Sequence, residues 1–369
     1  MDTKKVMLEE KLENLKEEYS KTKDNKKTNK HIRILRAKIA KVKREIIIAS
    51  KRQHGEGFFV KKSGDATVAL VGFPNAGKSS LINIITNTNS KTASYAFTTT
   101  SVISGMMLYN DSHIQIFDLP GLIENAHIGA GGGRTIISAI LSVDLILFVV
   151  DINYTEQLKQ LISELNALDI FINKKKPEIL IKKELTGGIK IEVNKSNISK
   201  QDIQEIFIGL GIYNAIVSIW DNITEDELIA YVSGKSHYLN AIIALNKIDT
   251  RKDYLEISKN IEKEYKMTTI PISAVNKINI DKLKEAIYKG LELITIYLKP
   301  KREDKLDPMV LKKGATIKDA ARKVHTTLVD ELKCAYVTGK SVKFANQRVG
   351  ADHVLGEGDI VTFITTSKE

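Results

Sequence analysis

The sequence predicts an α/β protein in four parts: an N-terminal helical hairpin, a largely parallel α/β domain, an α+β subdomain inserted into that domain, and a C-terminal β-grasp module. Three observations predict it. Two stripes of apolar residues at steps of three and four open the chain. Short apolar runs that end in turn residues then alternate with helical patterns. The final stretch reads as two strands, an amphipathic helix and further strands. With 369 residues, 43% apolar and 27% charged, the chain can build several packed cores and lacks the composition of a disordered protein.

The first stripe is Leu8, Leu12, Leu15 and Tyr19; the second is Ile32, Leu35, Ile39, Val42 and Ile46. The polar segment KTKDNKKTN separates them, with Thr28 placed to cap the second helix. This gives an antiparallel hairpin within residues 1–54, its apolar stripe inside and its basic residues largely outside. Next, TVALV (67–71) runs into a glycine loop and a helix from about Lys78. IQIFDLPG (114–121), LILFVVDI (145–152), AIIALNKID (241–249) and TTIPISA (268–274) supply further buried strands of a domain spanning 65–292. The stretch of about 90 residues between Asp151 and Ala241 is too long for a loop and has its own elements, GGIKIEV, KQDIQEIFIGLG and TEDELIAYVSG. It is expected to be an inserted subdomain at about 158–238. In the last module (293–367), LITIYLKP and PMVLKKG suit two strands. TIKDAARKVHTTLVDEL suits one amphipathic helix opening on Thr316, and AYVTG and GDIVTFIT suit the closing strands.

The charge is unevenly placed. Residues 21–52 hold 13 Lys/Arg against two acids, which equals the whole net charge of +11. A one-signed basic element is the footprint of a phosphate-backbone binder, so a nucleic-acid partner is expected here. The lone Cys334 excludes an internal disulfide and a cysteine-rich zinc site. The first residues lack the apolar core of a signal peptide. The most apolar run, Ile136 to Val150, is broken by Asp144 and is shorter than the roughly 20 residues of a membrane helix. A cytoplasmic protein with no membrane partner is the expectation. The seven histidines form no metal-ligand spacing, and no nucleophile is assigned.

Gly72-Phe73-Pro74-Asn75-Ala76-Gly77-Lys78-Ser79 matches G-x-x-x-x-G-K-S between a strand and a helix, the context of a P-loop. Its backbone N–H groups wrap phosphates, Lys78 reaches the β- and γ-phosphates, and Ser79 binds Mg²⁺. Asp118 and Gly121 of DLPG follow, the first suited to hold Mg²⁺ through water, the second to offer its N–H to a γ-phosphate. Asn246-Lys247-Ile248-Asp249 ends another strand. Guanine presents two N–H donors on one edge, which the Asp249 carboxylate can accept together. Asn246 can address the opposite edge and tie back to the P-loop, and Lys247 can lie across the ring. Ser273 and Ala274 complete this pocket, with the Ala274 N–H facing the guanine oxygen. Open α/β sheets bind ligands at such strand ends. In Tyr95-Ala96-Phe97-Thr98-Thr99-Thr100, one threonine can bind Mg²⁺ and sense the γ-phosphate, and spacing does not choose among the three. Gly129-Ala130-Gly131-Gly132-Gly133 suits a mobile second switch, and Arg134 beside it is a candidate transition-state cation or a solvated side chain.

With these motifs assembled, the chain resembles the developmentally regulated GTP-binding proteins (DRG) of the Obg-related GTPases. GEGFFVKKSGDATVALVGFPNAGKSSL looks like that family's entry into its P-loop GTPase domain. FTTT and DLPGLIE sit at its two switches, NKID and ISA at its guanine pocket. KINIDKLKEAI, IYLKPK and VGADHVLGEGDIV are similar to its passage into and end of a TGS domain, a β-grasp module. The resemblance implies GTP/GDP as ligand, hydrolysis coupled to ribosomes or translation, and Thr99 as the switch ligand of Mg²⁺. It implies a site made of Asn75, Ala76, Gly77, Lys78, Ser79, Ser80, Phe97, Thr98, Thr99, Asp118, Gly121, Asn246, Lys247, Asp249, Ser273 and Ala274, with Lys78, Thr99 and Gly121 serving the reaction. Leu122 stands where Ras-like enzymes carry the glutamine that orients water. Asn75 departs from the serine frequent in eukaryotic members and looks like the asparagine of potassium-dependent GTPases, where it helps hold K⁺. FTTT departs from the usual FTTLT. The expected partners are a ribosome or ribosomal RNA, met through the basic hairpin, and an auxiliary protein. The competing expectation is an RNA-binding assembly factor that uses GTP as a structural ligand.

Overall fold

The computed structural model describes residues 3–23, 25, 28–51, 64–86, 91–93, 102–118, 140, 142–194, 196–234, 236–300 and 306–365. The chain divides into two units, Met1–Gly57 with Ile162–Leu239, and Phe58–Leu161 with Asn240–Glu369.

In the first unit the helices Thr3–Lys21 and Asn29–Lys51 form the hairpin. Leu35, Val42 and Ile46 of the predicted stripe are buried, while Tyr19 is 42% exposed. Thr28 stands directly before the second helix and its carbonyl accepts the Ile32 N–H, while its hydroxyl accepts from the Asn25 N–H and donates to the Lys23 carbonyl, which closes the turn. The second helix has a second buried side. Ala37 is fully buried in the core of the inserted subdomain, with Ile203, Phe207, Val217 and Leu228. That subdomain is a three-stranded sheet with Ala215–Ile219 between Ile179–Lys183 and Ile189–Val193. The helices Lys200–Gly209 and Glu225–Val232 belong to it, capped by Ser199 and by a Thr224–Glu227 capping box.

The hairpin's lysines Lys21, Lys23, Lys30, Lys38, Lys41 and Lys43 lie outside, as expected, but two arginines turn toward the inserted subdomain. Arg33 meets Asp202 at 2.9 Å, Glu205 at 3.1 Å and Glu225 at 2.8 Å. Arg36 meets Glu225 at 3.3 Å and also pairs with Asp226. Burial opposes the Arg33 charge, but these carboxylates outweigh it and raise its pKa. Lys30, Lys38, Lys41 and Lys43 are exposed.

The second unit holds the main sheet, in the order Thr269–Pro271, His237–Asn246, Leu145–Asp151, Ala66–Val71, Ser112–Asp118, Val102–Tyr109, Lys91–Ala93. The first five run parallel to one another, and the last two join antiparallel at the Ser112–Asp118 side. Leu145–Asp151 is buried along its whole length, as a sheet covered on both faces requires. The parallel strands therefore end at one edge, at Val71, Asp118, Asp151, Asn246 and Pro271.

The β-grasp sheet has the order Asp307–Lys312, Leu293–Leu298, Ile360–Thr365, Leu332–Thr338, Gln347–Val349. Its expected single helix is two, Ile317–Val324 and Thr326–Glu331. The break is at His325, which is extended (φ −161°, ψ 144°) and whose ring accepts the Thr327 N–H to cap the second piece. Lys312 pairs with Asp144 and Lys323 with Asp65, both at 2.7 Å. Asp65 and Asp144 precede the strands Ala66–Val71 and Leu145–Asp151, so this module is fastened at the end of the sheet opposite the strand tips.

Gly209 decides whether the hairpin can seat. A Cβ there would meet the Ala37 Cβ at 2.7 Å and the Ile34 carbonyl at 3.0 Å. Gly209→Val should therefore destabilise the first unit by about 1–3 kcal/mol through overpacking, although valine is the better helix former. Amide hydrogen exchange over Asn29–Lys51 should accelerate; unchanged protection there would contradict this packing.

Candidate nucleotide site

The loop after Val71 is shaped by its backbone. Asn75 (φ 64°) and Gly77 (φ 94°) are left-handed on either side of Ala76. Such alternation turns successive N–H groups into one concavity, an anion-binding nest that leads directly into the helix Lys78–Ile85. Lys78 bends back over the loop, donating to the carbonyls of Gly72 (2.9 Å) and Phe73 (3.1 Å). Ser79 and Ser80, in the first turn of that helix, are exposed.

Asp118 ends the neighbouring strand and is 6% exposed. Burial raises its pKa, against the pull of the Lys78 charge and the Ser79 hydroxyl. Among the described residues its Oδ1 has no hydrogen-bond partner. A buried carboxylate with one bare oxygen, next to a serine hydroxyl, is a hard oxygen donor set of the kind Mg²⁺ takes.

Asn246 joins the loops. Its Nδ2 donates to the Ala76 carbonyl at 2.8 Å, and its Oδ1 accepts the Ala274 N–H at 3.0 Å. Gly77 is required for this approach, since a Cβ on it would collide with Asn246 Nδ2. The Ala274 N–H, expected to face a guanine oxygen, is thus engaged by Asn246, and both polar ends of Asn246 serve as a brace. Asp249 is exposed, and the fully buried Ser273 donates its hydroxyl to Asp249 Oδ1 while accepting the Asn276 N–H. One carboxylate is thereby aimed outward from a fixed base.

Three residues escaped the sequence reading. Lys247 Nζ lies 2.7 Å from Asp151 Oδ2. Asp151 Oδ1 accepts from the N–H and Nδ2 of Asn153, both at 3.0 Å, and Asn153 Nδ2 donates to Thr250 Oγ1 at 3.2 Å. A signal existed: Asp151 is a carboxylate closing an otherwise apolar strand, LILFVVD. Phe97, Thr98, Thr99, Thr100, Gly121, Leu122, the glycines of 129–133 and Arg134 lie outside the described residues. No described helix is long and apolar enough to cross a membrane.

Three family models match the chain in succession. One is described as a 50S ribosome-binding GTPase and covers residues 67–183. Another, for the C-terminal region of the same domain, covers 186–293, and a TGS domain model covers 294–365. The chain is 40% identical over 362 residues to an uncharacterized GTP-binding protein of Methanocaldococcus jannaschii, covering 97% of this chain and 93% of that protein. It is 37% identical to GTP-binding protein 1 of Schizosaccharomyces pombe, covering 96% of this chain and 99% of that one. Against Developmentally-regulated GTP-binding protein 2 of Homo sapiens the identity is 35%, with 96% and 98% covered.

The buried Asp118 has a thermodynamic consequence. A carboxyl whose folded pKa is raised costs stability once ionised, so stability rises as pH falls through that value. Asp118→Asn keeps the shape and removes the charge. It should raise the thermal unfolding midpoint of the nucleotide-free protein and flatten the fall of stability with rising pH above the ordinary carboxylate range. A lower midpoint in thermal unfolding would contradict the burial cost.

Proposed function

The chain belongs to the developmentally regulated GTP-binding proteins, a family of P-loop GTPases with a C-terminal TGS domain, and on that premise we propose that it hydrolyses GTP to GDP and phosphate as a conformational switch acting on ribosomes. The observation that carries the reading is the two-ended Asn246 bridge, which ties the phosphate loop to the base loops.

In this reading the nest N–H groups of residues 75–78 bind the β-phosphate, with Ala76 and Ser80 lining the loop. Lys78 exchanges the Gly72 and Phe73 carbonyls for phosphate oxygens. Asp249, fixed by Ser273, accepts the paired N–H donors of guanine. Such charge-assisted pairs select strongly against a base that lacks them. Ser79, Thr99 and, through water, Asp118 would hold Mg²⁺, which when bound neutralises charge on the phosphate oxygens. Phe97, Thr98, Thr99 and Gly121 form the γ-phosphate sensor.

Leu122 is apolar and cannot orient water. The Asn75 side chain is exposed at the lip of the nest, suited by its carbonyl oxygen to hold K⁺. Turnover in K⁺ buffer should exceed that in matched Na⁺ buffer, and Asn75→Ala should remove most of the difference while sparing GDP binding. Equal rates would sink the cation role and move attention to Arg134.

The ribosome reading draws on the family model's description and on the basic hairpin. With Arg33 and Arg36 engaged inside the first unit, the lysines carry the contact to RNA. Sedimentation with ribosomes should be stronger with a non-hydrolysable GTP analogue than with GDP. It should weaken steeply with salt, because counterions are released on binding. Replacing Lys30, Lys38 and Lys43 by glutamate should abolish it while leaving GTP binding intact. If single-turnover hydrolysis is negligible with and without ribosomes, the assembly-factor reading takes over.

A further inference from the structure

We propose that Asp151 is a positioning residue for the nucleotide base: its carboxylate tethers the Lys247 ammonium so that the lysine stem stays laid across the purine, and the residence time of bound GDP depends on that tether. The inference rests on the guanine pocket proposed above and concerns a residue outside its motifs.

Lys247 leaves the strand His237–Asn246 in a left-handed conformation (φ 65°), which sends its side chain away from the direction the strand would give it. A lysine has four rotatable carbons, so an untethered stem beside a flat ligand samples many rotamers and each binding event must select among them. Here both ends of the side chain are held. Asp151 stands opposite Asn246 in the parallel register, one residue before Lys247, and its Oδ2 meets Lys247 Nζ at 2.7 Å.

Asp151 is itself fixed. Its Oδ1 takes two bonds from Asn153, Asn153 donates to Thr250 Oγ1, and Thr250 Oγ1 donates to the Lys247 carbonyl at 2.8 Å. The polar contacts thus form a closed ring through Asp151, Asn153, Thr250 and Lys247, and Asp249 projects from the same turn, Ile248–Thr250. Burial opposes the Asp151 charge, yet Lys247 and Asn153 outweigh it and hold its carboxyl below the usual range. The Asp151 side chain is 8% exposed and the Lys247 side chain 35%, so the ammonium is anchored at the protein while part of the lysine remains open to a ligand.

The test is dissociation of fluorescently labelled GDP from the full chain, followed by stopped flow. Asp151→Asn, which is isosteric, should raise the dissociation rate about tenfold with little change in association, since affinity changes within one interface fall mostly on the off-rate. Lys247→Met should raise it as well. The double variant should be no faster than Lys247→Met alone, because the carboxylate acts through the lysine. If the two effects multiply, Asp151 supports the fold and not the base, and the proposal is overturned; an unchanged rate in Asp151→Asn overturns it too. Should Asp151→Asn lower the unfolding midpoint, Asp151→Glu, which keeps the charge, must restore slow release, and failure to do so counts against the tether. Wild-type protein that retains no labelled GDP would instead refute the pocket itself, and this inference with it.

Discussion

Everything at the strand tips depends on one amide. Asn246 is 2% exposed and uses both ends of its side chain, one on the phosphate loop and one on the loop after Ile272. A buried amide left half satisfied costs more than the bond it lost, so the three segments must keep this register together. Gly77 belongs to the same constraint, because a side chain there would occupy the space the amide needs. The consequence is preorganisation: phosphate and base are recognised on different loops whose mutual distance is set before any ligand arrives.

Charge in this molecule is arranged by burial more than by count. Burial disfavours the charge of Asp118, and among the described residues the Lys78 charge and the Ser79 hydroxyl oppose that cost, a local balance characteristic of binding sites. Asp144 shows the opposite balance: Lys312 and Thr67 outweigh its burial, and it fastens the β-grasp module. Asp151 follows the Asp144 pattern through Lys247 and Asn153. Similar carboxylates near strand ends thus differ in what each is placed to do.

The helix Asn29–Lys51 explains why a strongly basic segment need not present all of its charge. A helix has room for two buried sides when small residues make up one of them, and Ala37 against Gly209 allows backbones to approach. Arg33 and Arg36 flank that contact and meet carboxylates there, while lysines, more strongly hydrated, remain outside.

The parallel sheet, the P-loop with its helix, the strand-end placement of Asp118, Asn246 and Asp249, and the β-grasp order were legible in the sequence. Each is encoded locally, in apolar runs of strand length, in glycine spacing and in turn residues. The antiparallel strand Val102–Tyr109 was missed because VISGMMLY has neither clean alternation nor a flanking turn signal on its N-terminal side. The helix break at His325 was missed because no proline or glycine marks it. What tertiary structure alone decided was pairing between segments far apart in the chain. Arg33 finds Glu225, Lys247 finds Asp151, and Asn246 takes the Ala274 N–H that sequence reasoning had left for a ligand. Periodicity reports which way a side chain faces along its own element, but a hydrogen bond across nearly 200 or 100 residues is fixed by where the sheet and helices bring those elements together, and no local pattern carries that information.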